Sequence, residues 1–133
     1  MNDVNWLGIP VALIAVTLLG GVWFAVLFPR AYNVSLGHAP DATRKPTPLF
    51  LAGPPATSLV ITLTSAVLLA ALKIDTYGPA LLFGLLTGVG YLSANTLTIA
   101  INPNFPHPLR YATISAGYNI LSAVLISLIL TTV

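Results

Sequence analysis

YGPALLFGLLTGVGYLSANTLTIAI, residues 77–101, carries no charged side chain and is long enough to cross a bilayer as a helix. Steps of three and four place Leu81, Gly84, Gly88, Tyr91, Asn95, Thr98 and Asn102 on one face. The other faces are mostly Leu, Ile, Val, Ala and Phe. A helix that is apolar on most sides, with a narrow stripe of small and polar groups, has a lipid side and a protein side. A small bundle built against that stripe is predicted.

The composition suits the same solvent. Of 133 residues, 56% are hydrophobic and 6% charged, whereas a soluble domain carries roughly a quarter charged residues. So few charges cannot cover a water-facing surface. The length predicts a single domain, residues 1–133. There is no cysteine, which excludes disulfides, thiolate nucleophiles and cysteine metal sites. The net charge of +2 is too small for a nucleic-acid surface, and no nucleic-acid partner is expected.

Three further apolar runs complete the chain. The first, residues 4–28, lacks the basic leader and cleavage site of a signal peptide and is about twice the usual h-region length, so a retained helix is predicted. Trp6 and Trp23 lie near its two ends, where headgroup zones favour an amphipathic ring. Gly8, Ala12 and Ala15 offer a small-residue face. The second span is predicted over 54–73, starting at Pro54-Pro55 because proline does least harm in a first turn. Ser58, Thr62 and Ser65 form its hydroxyl stripe, able to bond an i−4 carbonyl or a neighbouring helix. Lys73 closes it and can snorkel to the interface. The last span, 109–132, follows the proline-broken NPNFPHPLR and carries Tyr111, Ser115, Tyr118 and Ser122, with Asn119 beside them. With 77–101 as the third span, the predicted fold is all-α: an integral membrane bundle of four transmembrane helices with short, antiparallel connections.

Arg30, Arg44, Lys45 and Arg110 fall in the first and third connections, and Lys73 on the opposite side with the termini. This basic bias predicts a multi-pass protein of the plasma membrane, with both termini outside and the first and third loops cytoplasmic. Trp6, Trp23, Arg30, Lys73 and Arg110 would anchor it at the interfaces.

Several short motifs suggest a relationship. The opening NWLGIPVALIAVTLLGGVWFAVLFPRAY resembles the start of the proteins catalogued as domain of unknown function 1761. There an Asn-Trp pair leads into an apolar helix, then Gly-x-x-Trp-Tyr and Leu-Phe-x-Lys/Arg-x-Trp/Tyr. In this chain they fall on Asn5-Trp6, Gly20 to Phe24, and Leu27 to Tyr32. The ending, FPHPLRYATISAGYNILSAVLISLIL, is similar to the family's last helix, whose Asp-Ala-Gly-Tyr motif reads Ser115-Ala116-Gly117-Tyr118. Phe24 stands in place of the usual Tyr, and Ser115 in place of the Asp. The resemblance implies a small four-helix integral membrane protein and supplies no activity. Any chemistry resting on that carboxylate would be missing from this chain.

An ionisable group inside a membrane is a functional hypothesis in itself. Asp3, Asp41, Asp75, Lys73, Arg30 and Arg110 all fall at ends or in loops of the predicted spans, which weighs against proton-coupled transport. No Asp shares the depth of the span serines, so no catalytic set can be composed; no enzyme and no cofactor are expected. His38 and His107, without a nearby acid or cysteine, predict no metal site. The polar groups that remain are Tyr91, Asn95, Ser115, Tyr118 and Asn119. Asn95 lies about 10 Å from Asn102, and 115–119 about 9–15 Å from Leu109 on a helix running the other way, so the two sets share a level. In one reading Asn95 bonds Asn119, Tyr118 or Ser115 and glues helices three and four together. In the other, the set lines a polar pocket for a headgroup, a small ligand or water.

Two functions follow as expectations. One is a structural or accessory protein acting through helix–helix contacts, in a homo-oligomer or a larger membrane complex, with Gly84, Gly88, Ser58, Thr62 and Ser65 as contact surfaces. The other is a passive channel or binder for a small molecule or lipid at the polar level. The lipid bilayer is a partner in both.

Overall fold

The computed structural model describes residues 3–133, and every regular element among them is a helix. Helix α1 (Gly8–Gly21) continues without a break into a π-helical segment (Val22–Leu27), and α2 (Pro29–Ser35) follows it. Helix α3 spans Pro48–Ala71. The third rod is built of α4 (Tyr77–Thr87), a second π-helical segment (Gly88–Ser93) and α5 (Ala94–Ala100). The last is α6 (Pro108–Thr132). The result is four rods long and apolar enough to cross a membrane: Gly8–Leu27, Pro48–Ala71, Tyr77–Ala100 and Pro108–Thr132.

The second rod starts at Pro48, six residues before the predicted Pro54. The start signal is Thr47-Pro48: the Thr47 hydroxyl accepts from the Phe50 N–H at 3.1 Å, and Pro48 takes the first position, where its missing N–H costs nothing. Pro54 and Pro55 lie inside the helix and remove two ladder donors, which a helix within a bundle tolerates. At its other end Lys73 adopts φ +56°, while the Ile74 and Lys73 N–H groups return to the Leu69 and Ala70 carbonyls at 2.9 and 3.1 Å. This is a Schellman cap with lysine where glycine is usual.

Helix α6 is the axis. Helices α1, α2, α3, α4 and α5 all pack on it, and α3 also leans on α1. The core sits where α1, α3, α4 and α6 meet and includes Val4, Ile9, Ala12, Val16, Ala66, Leu69, Phe83, Ile126 and Leu130. Large apolar residues such as Ile14, Leu18, Val26, Leu49, Phe50 and Leu86 face outward. That surface fits a hydrocarbon solvent.

Candidate functional site

Side chains before α1, in the two π-helical segments and on α5 form hydrogen bonds with α6. Asn5 works at the start of α1. Its Oδ1 accepts from the Gly8 N–H at 2.8 Å, and its Nδ2 donates to the Leu130 carbonyl at 2.8 Å. Leu130 lies in the last turn of α6, where helix carbonyls lack an intrahelical N–H, and Asn5 supplies a donor. Further along α1, the Tyr118 hydroxyl donates to the Val16 carbonyl at 3.1 Å. At the far end, Trp23 Nε1 donates to the Ile114 carbonyl at 2.9 Å. Three side chains thus stitch α1 to the antiparallel α6 along its length.

The stitching needs room for two rings, and glycine supplies it. A Cβ on Gly117 would lie 2.8 Å from Trp23 Cζ2, and one on Gly20 would lie 3.3 Å from the Tyr118 hydroxyl. Around this seam runs a chain of aromatic contacts. Phe24 lies 4.9 Å from Tyr32 and 5.3 Å from Tyr118, measured between ring centroids; Tyr111 lies 5.8 Å from Tyr32 and 4.8 Å from Phe105; Trp23 lies 4.8 Å from Phe28. Tyr32, on α2 and outside the four rods, has its phenol pushed up to about 12. Burial is the largest cause, and the neighbouring Tyr111 adds to it.

On the opposite side, α6 meets the third rod. Asn119 Nδ2 donates to Thr96 Oγ1 at 2.7 Å and reaches the Leu92 carbonyl at 3.5 Å; Ser93 Oγ donates to the Ala116 carbonyl at 3.3 Å. Above them Gly84 and Gly88 are buried against α6. A Cβ on Gly84 would come within 2.6 Å of Val124 Cα, and one on Gly88 within 2.9 Å of Ile120 Cα. The two glycines therefore close a seam inside the chain.

The five residues expected at one polar level are not brought together. Tyr118 turns to α1 and Asn119 to the third rod, so neighbours in sequence serve opposite sides of α6. Ser115 is buried on α6. Tyr91 and Asn95 point outward; Tyr91 is 76% exposed. The π-helical segment is the cause. It adds one residue to the turn between Gly88 and Ser93, so the inward positions after Gly88 become Ser93, Thr96 and Ala100. A uniform helical step points instead to Tyr91, Asn95 and Thr98. The partner of Asn119 is therefore Thr96 and not Asn95.

The other expected residues scatter. Thr62 is buried and donates to the Ser58 carbonyl at 2.8 Å, an i−4 bond within its own helix. Ser65 lines a cleft of about 250 Å3 between α3 and the third rod, with Ile61, Phe83, Thr87 and Tyr91 around it and Ala123 as its floor. Trp23, expected as an interface anchor, ties its helix to α6 through the Ile114 carbonyl. Trp6, Arg30, Lys73 and Arg110 are exposed. Sequence reasoning missed Asn5, Thr96 and Gly117 as bond or contact partners; Gly117 and Asn5 did stand within the quoted motifs. Among the described residues no group of three or more His, Cys, Asp or Glu side chains comes together to hold a metal ion. Among the described residues one buried hydroxyl, Ser122 Oγ, has no hydrogen-bond partner.

The motif residues thus have physical roles: Asn5 caps and clips, Gly20 and Gly117 accept rings, Trp23 and Tyr118 bond backbone carbonyls. No curated protein and no solved structure matches the chain. The family described as "Protein of unknown function (DUF1761)" matches residues 7–131, nearly the whole length, and the chain belongs to it.

Proposed function

We propose that this is an integral membrane protein with a structural, non-enzymatic role, acting by lateral association with other membrane-embedded chains. It would do so as a homo-oligomer or as an accessory subunit of a larger complex. One observation carries the reading: Tyr91 and Asn95 face outward on a rod whose outward side is otherwise mostly apolar, and neither side chain has a hydrogen-bond partner among the described residues. A polar group left unbonded in hydrocarbon costs on the order of several kcal/mol, and a neighbouring helix is the ordinary remedy. The interior does not supply one, because both side chains point away from it, and Asn5, Trp23, Tyr118 and Asn119 hold other partners. On this reading the bilayer is the plasma membrane, the connections bearing Arg30, Arg44, Lys45 and Arg110 are cytoplasmic, and both termini lie outside. A photo-cross-linking residue in place of Tyr91, activated in intact membranes, should give protein–protein adducts. Adducts confined to lipid would remove the reading.

The cleft between α3 and the third rod favours a second reading, a binder of a lipid chain or small apolar molecule. Its location differs from the polar level that the sequence pointed to. A lipid retained in native mass spectrometry and lost on Ser65→Phe would support it; an unliganded mass throughout would end it.

A further inference from the structure

The outward face of the third rod points to its own copy as the partner. We infer that two copies of this chain associate through that face, about a two-fold axis along the membrane normal, with the two Asn95 side chains bonded to each other. The inference rests on the lateral-association reading above and names its partner and surface.

Four features of the face lead there. First, Gly90, Tyr91, Ala94, Asn95 and Thr98 are all exposed and lie on one side of the rod, away from Thr96 and Ala100, which face inward. Secondly, Asn95 lies five residues from the end of α5, about 8 Å along the axis, and Tyr91 about 14 Å. A short amide at that depth has little reach to the interface. Thirdly, the face between Val89 and Ile99 has no charge, so it asks for no oppositely charged partner. Its amide, Asn95, carries donor and acceptor together and is complementary to itself, as is the hydroxyl of Tyr91 one turn away. Fourthly, a Cβ on Gly90 would meet nothing within 4 Å, and Ala94 is exposed one turn on. This pair of small residues lets a second backbone come close. Thr98 has already spent its hydroxyl on the Ala94 carbonyl at 3.1 Å and adds little polarity.

Symmetry supplies the occupant. Copies sharing one topology and related by a two-fold axis along the normal place Asn95 opposite Asn95 at equal depth. A different chain would need an unpaired polar group at that same depth by coincidence. The cleft beside α3 shares Tyr91 with this face, so a dimer would also wall its open side.

The test uses the purified full chain in liposomes, with self-association followed by energy transfer between labelled copies across protein-to-lipid ratios. Wild type should self-associate, Asn95→Leu about tenfold more weakly, and Asn95→Gln close to wild type. The chain has no cysteine, so single substitutions give background-free disulfide cross-linking. Ala94→Cys should cross-link between copies, and the likewise exposed Ile14→Cys on α1 and Val67→Cys on α3 should not. Because Asn95 is exposed and makes no side-chain hydrogen bond among the described residues, the thermal midpoint of Asn95→Leu should match wild type when diluted to monomer.

Association that is indifferent to Asn95→Leu, or cross-linking at Ile14→Cys or Val67→Cys in place of Ala94→Cys, would overturn this interface while leaving lateral association standing. Monomers at every ratio would overturn the second copy as partner. If the Tyr91 photo-adducts persisted in native membranes, a different chain would then be the occupant; if they vanished too, the broader reading would fall with it.

Discussion

At the scale of the residue, glycine and aromatic ring are exchanged twice across one seam. Gly20 of α1 leaves space for Tyr118 of α6, and Gly117 of α6 leaves space for Trp23 beyond α1. Each ring then bonds a carbonyl of the helix it leans on, so packing and hydrogen bonding reinforce one another. The motif letters showed which residues matter, but not that the two motifs fit each other, because sequence separation carries no information on which faces meet. Tyr32 extends this seam into α2, and its environment has a measurable consequence. Its phenol is held at about 12 in the fold, against 10.0 in an unperturbed chain. Below pH 10 both states keep the proton and no stability difference arises from it. As the pH rises from about 10 towards 12, the unfolded chain releases the proton while the fold retains it, so stability must fall. Denaturation midpoints measured in detergent across that interval should decline in wild type and decline less in Tyr32→Phe. Identical slopes would show that Tyr32 is not shielded.

At the scale of the element, the four rods were legible and their rotations were not. Length and apolarity are local properties, and residues 77–101 announce a span whatever surrounds them. Which face turns inward depends on the turn geometry accumulated along the rod. Reading from Leu81 through Gly84 to Gly88, a uniform helical step agrees with the structure for both glycines. Past Gly88 the π-helical turn inserts one residue, and every later assignment on that rod slips. Gly88-Val89-Gly90 is the only local hint of looseness, and glycines in a transmembrane helix have other uses. The start of α3 was misplaced for a related reason: Thr47-Pro48 and Pro54-Pro55 are both plausible openings, and only the Thr47 cap to Phe50 decides between them. The register shift can be tested energetically. Thr96→Ala and Asn119→Ala should be coupled by about 0.6–1.7 kcal/mol in a double-mutant cycle, the range for polar pairs between membrane helices. Asn95→Ala and Asn119→Ala should be additive, since the two side chains face different surroundings. Coupling in the second cycle and none in the first would place the rod in an uninterrupted α-helical register.

At the scale of the whole molecule, the arrangement is one axis with satellites. Because α6 touches every other helix, an error at its surface propagates to the whole bundle, whereas changes on the outward faces do not. The glycines divide along this line. By sequence, Gly84 and Gly88 are helix-packing positions that could serve within the chain or between chains, and the structure buries both against α6. At Gly84 the nearest obstacles are the Val124 Cα and the Ser127 Oγ, each 2.6 Å from where an added methyl would stand, and backbone cannot rotate aside as a side chain can. Gly84→Ala must therefore push α4 off α6, at about 1–3 kcal/mol, the usual range for overpacking. Gly90→Ala adds the same methyl where nothing lies within 4 Å, and should leave the fold untouched. Measured on protein diluted in detergent until it is monomeric, Gly84→Ala should lower the thermal midpoint by several degrees and Gly90→Ala should not. Cross-linking through Ala94→Cys in membranes should show the opposite sensitivity, because the extra methyl at Gly90 stands on the outward face. If Gly84→Ala instead kept the monomer's midpoint and lost only self-association, that glycine would belong to an interface between chains, and α6 would not be the axis on which the fold depends.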